Sequence, residues 1–109
     1  MGVTRSDIFT DEQNKIAAIA KVIGHPARVA ILQHLLKVQE CICGDLVDVI
    51  GLAQPTISQH LKEMKNIDLI SGHIDGTKVC YCINVKTYKQ IAKTFNKIFG
   101  MDLNIKSSC

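Results

Sequence analysis

The feature that most constrains this chain is a change of apolar period just after Lys65. From Gln54 to Lys65 (QPTISQHLKEMK) the apolar side chains fall at Ile57, Leu61 and Met64, spaced by four and three. That spacing predicts a helix held along one thin stripe. Pro55 suits its first turn, where a missing N–H leaves no helical bond unmade. From Leu69 onward the apolar residues alternate instead, around an Asp75-Gly76 pair. Alternation with such a pair predicts a β-hairpin closed by a two-residue turn.

With Asp75 and Gly76 as the loop, Ile74 pairs with Thr77, His73 with Lys78, Gly72 with Val79 and Ser71 with Cys80. One face then carries Ile70, Ile74, Val79, Tyr81 and Ile83 and is expected to be the core side. The other, expected to face solvent, carries Ser71, His73, Lys78, Cys80 and Cys82.

The predicted helix offers Gln54, Thr56, Ser58, Gln59, Lys62 and Lys65 on its outer surface, with His60 at the edge of the stripe. Gln reads adenine edges, Ser and Thr reach bases or phosphates, and Lys binds phosphate oxygens. An ordinary amphipathic surface helix has the same pattern, so its neighbours decide between the two readings. Before it, Asp45 to Ile50 predicts a short helix, Gly51 its cap, and Leu52-Ala53 a tight turn. Two short helices joined by a Gly-containing turn form a helix-turn-helix. A hairpin directly after the second one is a wing, whose Lys78 and His73 face DNA backbone or minor groove.

The flanks complete a mostly α chain with one β-hairpin, an α+β winged helix-turn-helix. Residues 1–9 are expected to be a flexible tail, 10–100 the folded domain and 101–109 a second tail. Thr10 with Gln13 fits a capping box, and Ile16, Ile19, Ala20 and Ile23 form the first helical stripe, ended by Gly24. His25-Pro26 opens a second helix with a broad apolar face that fades near Gln39. Glu40 to Gly44 reads as a brief extended segment. Asn84 caps a last helix to about Phe99, apolar through Tyr88, Ile91, Phe95 and Ile98. One small domain has little core left to cover that helix, so the first and last helices are expected to form a homodimer interface. A twofold dimer places two reading helices one DNA turn apart, on a palindromic double-stranded operator.

Composition narrows the function classes. A chain of 109 residues with 47% apolar content folds as one domain rather than remaining disordered. No apolar run approaches the roughly 18 residues of a membrane span, and no signal peptide is evident, so a cytoplasmic protein is expected. The net charge is +3, but residues 1–50 hold five Lys/Arg against six Asp/Glu, and residues 51–109 hold eight against four. The cationic half is therefore the half with the reading helix and wing. No Gly-rich phosphate loop or nucleophile set marks an enzyme. A winged helix that binds protein instead of DNA is the rival, and weak dependence of its binding on salt would reveal it.

These stretches resemble the ArsR/SmtB family of bacterial metal-responsive repressors. His25-Pro26-Ala27-Arg28-Val29-Ala30-Ile31-Leu32 is similar to the family's second helix, and Gly44-Asp45-Leu46 to the opening of its third. Leu52 to Leu61 is similar to its recognition helix, and Asp75-Gly76 with Val79 to Ile83 to its wing. The similarity spans about residues 12–99. It implies a winged-helix dimer that leaves DNA when an inducer binds, with no cofactor needed for folding. It also implies DNA contact by Gln54, Thr56, Ser58, Gln59 and His60, and by Arg28; from the residues alone, His60 equally fits a histidine hydrogen-bonded at the core edge, and Arg28 a partner of a carboxylate. Ala53 departs from the Ser often found there, which weakens the helix cap. Arsenic- and cadmium-sensing members carry Cys-x-Cys directly before Asp-Leu, whereas here Gly44 separates Cys43 from Asp45-Leu46.

Five cysteines leave three readings open. As(III) or another thiophilic ion would take thiolates from Cys41, Cys43, Cys80 and Cys82 as inducer. A thiol redox sensor would oxidise across strands or between subunits, or through Cys109, because a bridge between i and i+2 cysteines is strained. Small buried apolar cysteines without a role are the plain alternative. His73, diagonal to Cys80 and Cys82, is either a nitrogen ligand or a wing residue facing phosphate.

Overall fold

The computed structural model describes residues 8–44 and 46–105. Asp45, expected to open the third helix, and residues 1–7 and 106–109 of the two expected tails, Cys109 among them, lie outside the described residues. Along the chain run α1 (Asp11–Ile23), α2 (Pro26–Val38), α3 (Leu46–Ile50), α4 (Gln54–Asn66), β1 (Ile70–Asp75), β2 (Lys78–Ile83) and α5 (Val85–Phe99). The order and type of these elements are those expected of a winged helix-turn-helix.

Local chemistry sets most boundaries. The Thr10 hydroxyl accepts from the Gln13 N–H at 3.0 Å and the Gln13 carbonyl side chain accepts from the Thr10 N–H at 3.0 Å, a complete capping box. Pro26 starts α2 after a 91° bend from α1, and the His25 Nδ1 accepts from the Ala27 N–H at 3.0 Å. The Gly51 N–H closes α3 onto the Val47 carbonyl at 2.8 Å. Ala53 provides α4 with no side-chain cap, as its departure from Ser implies. Asn84 caps α5 by accepting from the Thr87 N–H at 3.3 Å.

One core joins these pieces. Ile57, Leu61 and Met64, the thin stripe of α4, are at most 2% exposed and pack with Ile31, Leu35, Leu46 and Ile70. Each helix alone is too short to be stable in water, so this shared burial holds them.

The hairpin departs from expectation in its register. Asp75 pairs with Lys78, Ile74 with Val79, His73 with Cys80 and Ser71 with Cys82. The loop is therefore Gly76-Thr77, not Asp75-Gly76. Gly76 takes φ +66° and is the only loop residue at positive φ, as a type II′ turn with Gly first requires. The slip is two residues, so the membership of each face is unchanged. Burial, however, does not follow the expected division. Ile74 and Val79 near the tip are 77% and 47% exposed, because the hairpin projects beyond the core. Cys80, expected at the solvent face, is fully buried. The cause is an isolated β-bridge from outside the hairpin. Ile42 pairs antiparallel with Tyr81, donating to its carbonyl at 2.8 Å and accepting from its N–H at 2.9 Å, which lays Cys41 to Cys43 along β2.

Helix α5 contains no buried residue, although Tyr88 and Ile91 touch the core. Its far end leaves Ile98 and Phe99 exposed, and Lys97 reaches Glu12 of α1 at 3.4 Å. No single helix among the described residues is long and apolar enough to cross a membrane.

Because the α4 stripe is the joint of the core, Leu61→Ala should cost about 2–5 kcal/mol of unfolding free energy. Urea denaturation checks this, and a loss below about 1 kcal/mol would show that α4 is anchored elsewhere.

Candidate nucleic-acid interface and cysteine ladder

The outward face of α4 is polar throughout. Gln54, Thr56, Ser58, Gln59, Lys62 and Lys65 are all exposed, while the stripe behind them is closed. Two contacts preset side chains there: Gln54 Nε2 donates to Ser58 Oγ at 3.0 Å, and Gln59 Nε2 donates to Glu63 Oε1 at 3.2 Å. Lys65 leans toward the hairpin, since a Cβ at Gly72 would lie 3.7 Å from its Nζ. The same Cβ would stand 3.2 Å from the Tyr81 ring, which is why a residue without a side chain sits there. Lys78 and His73 are exposed on the hairpin, and Lys78 shares with Gln54 and Ser58 the lining of a cavity of about 430 Å³ between α4 and β2.

His60 belongs to a different environment from the rest of the set. Its side chain is 8% exposed and lies at the core edge, 4.4 Å from the His25 ring between centroids. Arg28 Nε donates to His60 Nδ1 at 3.0 Å, and Arg28 Nη1 donates to the Val22 carbonyl at 3.0 Å. Arg28 thus ties α2 to α4 and the end of α1; it does not extend outward as the family resemblance implies. An acceptor at Nδ1 places the imidazole proton on Nε2. Burial, then His25 and then Arg28, push the His60 pKa below its ordinary range. No local signal in the sequence marks the Arg28–His60 pair, whose members stand 32 positions apart.

The four internal cysteines do converge. Cys41 is bonded to Cys82 and Cys43 to Cys80, with Cα separations of 4.3 and 4.2 Å. The geometry follows from the Ile42–Tyr81 pair. That pair exchanges both hydrogen bonds, so the positions flanking it are non-hydrogen-bonded pairs, where strands approach to about 4.5 Å between Cα atoms. The result is a ladder of two cross-strand rungs. In this bonded state none of the four offers a thiolate to a metal, and no group of three or more His, Cys, Asp or Glu among the described residues forms a metal site. His73 Nδ1 stands 3.9 Å from Cys82 Sγ.

A polar helix on a buried stripe, a helix-turn before it and a hairpin after it define a winged helix-turn-helix regulator. The family described as "Bacterial regulatory protein, arsR family" matches residues 25–71. The chain is 30% identical over 84 residues to the arsenical resistance operon repressor of Staphylococcus aureus, covering 77% of this chain and 80% of that protein. It is 35% identical over 63 residues to the transcriptional repressor SmtB of Mycobacterium tuberculosis, covering 58% of this chain but only 46% of that protein, so the chain spans about half of that relative. Its fold matches the crystal structure of NolR from Sinorhizobium fredii with a TM-score of 0.63 and 25% identity, over 94% of this chain and 99% of the other. The chain belongs to the ArsR family of bacterial regulatory proteins, a family of transcriptional regulators rather than enzymes.

The His60 environment has a consequence for stability. A histidine whose folded pKa is lowered binds fewer protons folded than unfolded, so its neutral burial is unpenalised above about pH 6.5 and increasingly penalised as pH falls below that. Denaturation between pH 8 and 5 should show stability falling on acidification, and His60→Gln should flatten that fall. An unchanged slope in the variant would remove His60 as the cause.

Proposed function

We propose that this chain is a homodimeric, cytoplasmic, DNA-binding transcriptional repressor whose hold on its operator is set by the thiol state of the cysteine ladder. Helix α4 enters the major groove with Gln54, Thr56, Ser58 and Gln59 toward base edges and Lys62 and Lys65 toward phosphates. Lys78 and His73 take the flanking backbone. The unburied apolar side of α5, with α1 beside it, is the surface for the second copy, and the twofold pair matches a palindromic site.

The observation that carries this reading is the pairing of all four cysteines at the base of the hairpin that follows an outward-facing polar helix. Bonded rungs fix β2 to the segment that leads into α3. Reduced, that seam keeps the Ile42–Tyr81 hydrogen bonds and the burial of Ile42 but no covalent tie, and the wing can adjust to DNA. The reduced chain is therefore the binding form, and oxidation releases it.

A second reading is favoured by the relation to the Staphylococcus aureus arsenical resistance repressor. Once reduced, the two rungs become four thiols at the hairpin base, and As(III) takes up to three thiolates. In that case the metalloid closes the seam in place of the disulfides. No metal is required for the fold in either case.

Binding to DNA upstream of the chain's own gene, measured by anisotropy, tests both. The reduced chain should bind between severalfold and about a hundredfold more tightly than the oxidised one, the range of a coupling of 1–3 kcal/mol. Affinity should also fall steeply with salt. A reduced chain released by As(III) but not by mild oxidant would select the metalloid reading. Equal affinity in all three states would take the cysteines out of signalling. Gln54→Ala with Ser58→Ala should weaken specific binding at least tenfold, at about 1–3 kcal/mol per lost base contact; untouched affinity would remove α4 from the reading role.

A further inference from the structure

Each rung borders a cavity, but the two differ in how exposed their sulfurs are and in what stands beside them. Cys80 is completely buried and its partner Cys43 half-buried. Cys41 is exposed, and both Cys41 and Cys82 line an open cavity of about 590 Å³ beside Leu36, Val85 and Tyr88, so exposure is what separates the two sulfurs. Cys82 is half-buried, and the His73 imidazole stands 3.9 Å from its sulfur. His73 and Cys82 meet because Ser71 pairs with Cys82 and His73 with Cys80, which makes His73 and Cys82 diagonal neighbours on one face.

We propose that Cys41 is the sulfur attacked by a small external thiol, that Cys82 is the sulfur that leaves, and that His73 assists by donating a hydrogen bond to the departing Cys82 thiolate. This rests on the redox reading above. A thiolate RS⁻ bonds to Cys41 Sγ as the Cys41–Cys82 bond breaks, and the electron pair of that bond goes to Cys82 Sγ. A second RS⁻ then displaces the mixed disulfide on Cys41. The products are two protein thiols and RSSR, so the external thiol is oxidised as the rung is reduced. His73 uses an N–H at Nδ1 for this and need not change its charge. Exchange accelerates as the leaving thiolate is stabilised, which selects the bond with a donor beside it. The buried Cys43–Cys80 rung has neither access at Cys80 nor such a donor among the contacts described, and opens second.

The experiment uses the oxidised full chain carrying Cys109→Ser, so that the ladder holds all its sulfurs. Limiting glutathione is added, exchange is quenched with acid, and peptides are mapped by mass. The adduct should lie on Cys41, with Cys43–Cys80 still closed when Cys41–Cys82 has opened. His73→Ala should slow opening of the outer rung by about tenfold or more, the scale of one hydrogen bond to a charged group, and leave the inner rung's rate unchanged. His73→Asn, which keeps an N–H donor at a similar reach, should recover most of the rate. An adduct mainly on Cys82, equal opening of both rungs, or a His73→Ala rate equal to wild type would overturn the inference while leaving the redox reading standing. Four thiols still free after oxidation would sink both.

Discussion

Two backbone hydrogen bonds between Ile42 and Tyr81 are what the cysteine ladder and the attachment of the wing depend on. They pin the link between α2 and α3 to β2 through a single β-bridge. They carry Ile42 into the same core as the α4 stripe, leaving it 6% exposed. They also determine which residues flank the pair at close approach, and in this chain those are all cysteines. A shift of one residue in that bridge would place Cys41 and Cys43 opposite the other face of β2. The ladder exists because Cys-x-Cys on one strand meets Cys-x-Cys on another in phase.

The same economy applies to α4. Its anchoring is confined to Ile57, Leu61 and Met64, with His60 completing the inner side through Arg28. Four inward positions hold the helix and leave a continuous polar face outward. The Arg28–His60 link is a polar contact at the core edge, where an unmet imidazole nitrogen would be costly. Gln54 and Ser58 hold each other, and any base contact they make exchanges that bond for another. Net gain per contact is correspondingly modest, and discrimination depends on several such exchanges at once.

What was legible in the sequence follows from the range of the forces involved. Helix order and ends rest on spacing and caps within a few residues, which is why Thr10 with Gln13, Pro26, Pro55 and Asn84 mark their helices correctly. The observed turn lies one step beyond the expected one, because Asp75-Gly76 fits a type I′ loop on local grounds while the folded chain uses Gly76 first in a type II′ loop. Alternation places Cys80 toward solvent because it knows only the two hairpin strands; the bridged segment that encloses it lies 37 positions earlier. For Arg28 the sequence leaves a carboxylate partner or DNA open, and the actual partner, His60, lies on another helix 32 positions away. Local periodicity describes the frame, and long-range pairing describes the sites.

Coupling between ladder and reading helix needs an element that both can bias. The separation is short. Cys43, Leu46, Ile57, Ser58 and Lys78 line one cavity, so the inner rung, the start of α3 and the outward face of α4 share a wall. Closing or opening the rungs alters how firmly β2 is held to the segment entering α3, and α3 packs on α4 through Leu46 and Ile57. A signal acts only to the extent that its two states differ in affinity for DNA. Under the proposed redox reading, a seam covalently closed in one state and open in the other would supply such a difference through the freedom of the wing, without any rearrangement of the core.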